Sequence, residues 1–169
     1  ELARHWTWKP AEDEVEMFRV QGSDTTDVVY HRAAIGDSAL LQGVDALFVT
    51  DSRWLLFPYL MTEPEGAVFT VDGPKKPPVG DGTAMRLTVE LPKGDAKDKY
   101  VLYYDDNYGI KAWTSHPAGG GRSRASWDDM TEVGPLKLYL SHESPQEHFK
   151  LWFTDVSVKL HTTGAAAAH

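Results

Sequence analysis

The chain has 169 residues and no cysteine, which excludes disulfides, thiolate zinc sites, iron–sulfur clusters and a cysteine nucleophile. Its 17 Lys and Arg against 25 Asp and Glu leave a formal charge of −8, the wrong sign for general binding to a nucleic-acid backbone. The longest apolar run, residues 54–61, falls far short of the ~20 residues of a membrane-spanning helix.

The sequence opens at Glu1 without an initiator methionine or a charged-then-apolar leader, as expected of a domain cut from a larger protein or of one whose leader was removed. Trp6 and Trp8 alternate, as in a strand or an apolar rim. Residues 15–20 and 27–32 are rich in β-branched and aromatic side chains and predict strands. Residues 37–43 predict one short helix, capped by Asp37 and ended by Gly43. Residues 44–50 predict a further strand. Over residues 53–61 the continuous apolar run predicts a strand buried on both faces, with Pro58 at an edge or bend. The alternative there is an exposed ridge carrying Trp54, Phe57 and Tyr59.

Beyond a predicted strand at 67–72 lies a loop, Pro74-Lys75-Lys76-Pro77-Pro78-Val79-Gly80. Residues 85–91 alternate strictly: Met85, Leu87, Val89 and Leu91 share one face, and Arg86, Thr88 and Glu90 the other. Strands follow at 100–104, 136–140 and 149–153. From Phe149 the apolar parity runs through Leu151 and Phe153, then flips to Val156, Val158 and Leu160, so a β-bulge is expected near Thr154-Asp155. The closing residues 164–169 read as a cloning linker with a truncated histidine tag. The expectation is a single all-β domain over residues 1–163, a jelly-roll β-sandwich of about nine short antiparallel strands.

Leu151-Trp152-Phe153-Thr154-Asp155-Val156-Ser157-Val158-Lys159-Leu160 resembles the closing strand of galactose-binding-like jelly rolls, a fold shared by many carbohydrate-binding modules. Thr154 stands where the first of two Asp residues is usual in that pattern. The resemblance implies a sugar-binding module and a structural calcium ion.

Aromatic side chains make up 11% of the chain, and several fall among polar residues. Sugars present an apolar C–H face and a hydroxyl edge, so a site for them needs a flat ring beside Asp, Asn or Arg. Residues 105–113 supply that set: Tyr108 and Trp113 for stacking, with Asp105, Asp106 and Asn107 for hydroxyls. Trp127, in an expected loop beside Asp128-Asp129, and Trp54 extend the candidate surface. The plain alternative is a hairpin turn at residues 106–109 with Trp113 as a core anchor. Hard oxygen donors at Asp105 and Asp155 are the candidate calcium ligands, although the spacing around Asp105 does not match an EF-hand loop. His142 and His148 flank Pro145 in what reads as a solvated loop, without the helical spacing of a zinc site.

No Gly-x-Ser-x-Gly elbow is present. A hydrolase would need two opposed carboxylates. A lyase would need a base near a cation, for which His116 and the Arg122-Ser123-Arg124 loop are the candidates. The expected function is non-catalytic recognition of a neutral or weakly charged polysaccharide, with no nucleic-acid or membrane partner, inside a larger extracellular protein. The alternatives are a small polysaccharide hydrolase or lyase, and a structural or protein-interaction domain.

Overall fold

In a computed structural model of the chain, the residues described are 3–21, 24–61, 65–93 and 96–160. The expected linker and tag lie outside them. They form eleven strands and one long helix, and every ladder is antiparallel. The protein is therefore mostly β. Each strand pairs only with its neighbours in sequence, giving meanders ordered β1-β2-β3, β4-β5-β6-β7-β8 and β9-β10-β11. This agrees with the expected antiparallel all-β class; a jelly roll pairs strands distant in sequence, and among the described residues the ladders join sequence neighbours. The chain divides into two compact units, Glu1–Trp54 and Leu55–His169.

In the first unit β1 (Ala3–Lys9), β2 (Glu14–Gln21) and β3 (Asp24–His31) place Trp6 opposite Met17, Met17 opposite Val28, and Val15 opposite Tyr30. Period-two alternation puts these side chains on one face, where Val15, Met17 and Tyr30 are buried with Val44 and Phe48 of α1 (Ala39–Leu60). Two carboxylates fasten that helix. Asp51 accepts from Nε and Nη2 of Arg4 at 2.7 and 2.8 Å and from the Trp6 indole N–H at 2.9 Å. Asp45 accepts from the Tyr30 hydroxyl at 3.1 Å and from Arg32 at 2.7 Å.

The helix corrects four expectations. Residues 44–50 and 53–60 are helical, not strands, and Gly43 lies inside the helix instead of ending it. Its first bond runs from Gln42 N–H to Ser38 O, and Ser38 Oγ, not Asp37, accepts from Leu41 N–H at 3.4 Å. Pro58 is tolerated because it sits in the last turn, where few following residues depend on the broken ladder.

The second unit holds β4 (Val68–Lys75), β5 (Ala84–Lys93), β6 (Ala96–Tyr104), β7 (Ile110–His116) and β8 (Ser123–Ser126) in one sheet. β9 (Asp128–Val133), β10 (Leu136–Ser144) and β11 (Phe149–Trp152) form another. Only Trp127 separates β8 from β9, so one extended segment changes sheets there. A line of rings runs through the core: Phe57 to Tyr100 at 4.3 Å between centroids, Tyr100 to Trp113 at 5.6 Å, Trp113 to Trp127 at 5.4 Å, and Trp127 to His142 at 4.8 Å. β10 extends further than the alternation at 136–140 predicts, which buries His142 in a strand, not in a solvated loop. β11 ends at Trp152, and the expected bulge at Thr154-Asp155 is instead a departure from the sheet, with Asp155 at φ 56°.

Candidate functional site

The β6–β7 turn is built around Asp105. Its Oδ1 accepts from the backbone N–H of Asn107 at 3.0 Å and of Gly109 at 2.8 Å, and its carbonyl accepts from Tyr108 N–H at 2.9 Å. Its Oδ2 lies 2.9 Å from the Lys111 ammonium. Together the Lys111 contact and the Gly109 and Asn107 donors hold the carboxyl below its ordinary range. A Cβ on Gly109 would stand 3.1 Å from Oδ2, which is why glycine occupies that position. This frame sets Tyr108 in the left-handed region at φ 61°, with the residue 84% exposed and its ring centroid 6.2 Å from that of Tyr104 at an 18° interplanar angle.

Beside the turn lie two open recesses of about 490 and 430 Å³. Asp105, Lys111 and Asp128 line both, joining them into one groove at the segment where β8 passes into β9. The first adds Asp81, Ser126 and Glu143. The second adds Asn107, Trp127, Met130 and Tyr139. Ser126 ties the groove together: its hydroxyl donates to Asp128 and accepts from Glu143 N–H at 3.1 Å. Lys150 stands 2.5 Å from Glu143.

The sequence-predicted residues separate into three groups. Asp105, Asn107 and Trp127 line the groove, and Tyr108 lines neither recess but lies in the chain between Asn107 and Gly109, which line the second. Trp113 and Trp127 are each 2% exposed and belong to the ring line of the core, so neither presents a stacking face. Trp54 is buried on α1 in the first unit. Asp106 is exposed in the turn, and neither it nor Asp155 lines a recess.

Both Asp105 oxygens are engaged, Oδ1 by the Asn107 and Gly109 N–H groups and Oδ2 by the Lys111 ammonium. Among the described residues, no three Asp, Glu or His side chains gather to hold a metal. Sequence reasoning passed over Lys111, Glu143, Met130 and Tyr139. They meet only because the chain changes sheets at Trp127, and the polar run of residues 123–129 shows no alternation that would reveal it. Comparisons with known protein families, with curated proteins and with solved structures found no match to this chain.

Proposed function

We propose that the protein is a non-catalytic carbohydrate-binding module that stacks a sugar ring on Tyr108 and hydrogen-bonds its hydroxyls in the adjoining groove. The observation that carries this reading is Tyr108 itself. Its aromatic face is left in water, on a backbone conformation that costs about 1 kcal/mol for a residue other than glycine. An exposed ring suits the C–H face of a pyranose. Asn107, Asp128, Glu143 and Lys111 supply acceptors and donors for its hydroxyl edge. A glycosidase acid must stay protonated near neutral pH, and Asp105 is driven the opposite way. The same reading places the protein outside the cell, as one unit of a larger polysaccharide-handling protein.

The test is titration of the purified chain with a panel of soluble oligosaccharides, followed by intrinsic fluorescence and calorimetry. Tyr108→Ala should weaken binding at least tenfold with an unchanged circular dichroism spectrum, since base- and sugar-facing aromatics carry a large share of such contacts. Wild-type affinity in that variant would remove Tyr108 as the platform. Silence from every glycan would remove the module reading, and turnover of any of them would establish the hydrolase alternative.

A second reading, a protein-interaction domain, is favoured by β4. Val68, Phe69 and Val71 are exposed on both faces of this strand, and its ladder runs to β5 alone. An exposed apolar edge is a template for another strand.

A further inference from the structure

We infer that Lys99, His116 and Arg122 form a site for the sulfate or carboxylate group of an acidic polysaccharide, a specificity that rests on the carbohydrate-binding reading above. The ladders bring the three residues together. Lys99 of β6 pairs directly with His116 of β7, so their side chains leave the sheet on one face. Ser115 pairs with Ser123, and their hydroxyls meet at 2.6 Å. His116 and Arg122 are the next residues outward, side by side at the mouth of the β7–β8 hairpin. Lys99 and Arg122 are exposed, and His116 is half-buried on the strand between them.

Such a row is unfavourable without an anion. Like charges set opposite one another in a ladder destabilise it, and the neighbouring carboxylates are engaged elsewhere. Glu90, opposite Lys99 on β5, takes the Lys97 ammonium at 3.0 Å, and Glu147 takes Arg124 at 3.1 Å. Asp98 is buried and accepts from Ala118 N–H at 2.7 Å. Among the described residues, neither Lys99 nor Arg122 has an ion-pair partner. Burial first, and then the Arg122 and Lys99 charges, hold the His116 imidazole below its ordinary range. An oxyanion seated among them would reverse both charge effects and let the imidazole protonate. Arg122 offers a planar fork for two of its oxygens, Lys99 a compact charge and His116 a ring N–H. Three groups suit one anionic substituent, not the continuous cationic track that a nucleic-acid backbone needs. The formal charge of −8 opposes polyanions in general, so their contact needs a local cationic patch of this kind. The row lies at the far end of β6 from the Tyr108 turn, ~17 Å along the strand at ~3.4 Å per residue, so the two sites can be tested apart.

The experiment is calorimetric titration of the chain with dextran sulfate and with unsulfated dextran in about 0.15 M salt. The sulfated polymer should bind at least tenfold tighter. Lys99→Ser combined with Arg122→Ser, both at exposed positions, should bring that ratio toward one. Lys75→Ser combined with Lys76→Ser removes the same charge from exposed positions elsewhere and should leave the ratio unchanged. Inorganic sulfate should raise the titration midpoint of the His116 imidazole resonances, and should not do so in the variant lacking Lys99 and Arg122. Equal affinity for the two polymers, an equal loss in both double variants, or a His116 midpoint unmoved by sulfate would overturn the inference. Tighter binding of single-stranded DNA through the same row would also overturn it, by assigning the row to a nucleic acid. Each of these failures leaves the module reading to be decided by neutral oligosaccharides and Tyr108→Ala. Row-dependent binding of dextran sulfate with silence from every neutral glycan would uphold the row and remove the Tyr108 platform.

Discussion

Asp105 shows how one side chain can order a turn beside the groove that it lines. Its carboxylate replaces the backbone acceptors that a tight turn lacks, and it orders Asn107, Tyr108 and Gly109 in a single step. The groups that order the turn also set the charge, since Lys111 and two backbone N–H donors favour the ionised form. The folded pKa therefore lies below the ordinary value of about 3.9. What the turn gains from this carboxylate is fully present above that value and is lost as the pH falls through the folded pKa. Amide resonances of Asn107 and Gly109, followed from pH 6 to pH 2, should move together with a midpoint below 3.9. In Asp105→Asn that transition should vanish. Amide shifts that stay flat across the range, or that turn over above pH 4, would show that the Asp105 bonds do not hold the turn.

At the scale of elements, α1 is the clearest case of structure hidden by a correct local rule. Val44, Phe48, Asp51, Trp54 and Phe57 are its buried positions, spaced three or four apart. The stripe is interrupted for a reader of hydropathy because Asp51 stands in it, and Asp51 is buried only because Arg4 and Trp6 meet it. The β-branched residues Val44, Val49 and Thr50 then favour a strand locally, and packing overrides them. Gly43 is an exposed interior position of this helix with open space where a Cβ would lie. Gly43→Ala should raise unfolding stability by about 0.5–1 kcal/mol in denaturant titration, whereas a loss of stability would mean that the glycine serves a contact. β5 was legible from alternation alone, and so was the first half of β10. β7 was not, because Ala112, Trp113, Thr114 and Ser115 are buried in succession and leave no period of two. The groove inherits that opacity: Asp105 and Asn107 stand out as turn formers, but nothing local brings Tyr139 or Glu143 to them.

For the molecule as a whole, charge and the β4 edge act in opposite directions on association. The formal charge of −8 makes two copies repel at low ionic strength, where screening extends to ~30 Å at 0.01 M salt and shrinks to ~10 Å at 0.1 M. On β4, Val68, Phe69 and Val71 offer apolar contact on an edge whose Gly73-Pro74 irregularity interrupts only its far end. Salt should therefore promote self-association. Sedimentation velocity is expected to show a monomer at 0.01 M sodium chloride and a growing oligomer fraction at 0.5 M. Val71→Lys puts a charge on an exposed strand position without opening the core, and it should keep the chain monomeric at both salts. Association that survives Val71→Lys would assign it to another surface. A monomer at every salt would mean that this apolar edge alone does not drive self-association, because a strand open on both faces and along one side has no other local barrier to pairing.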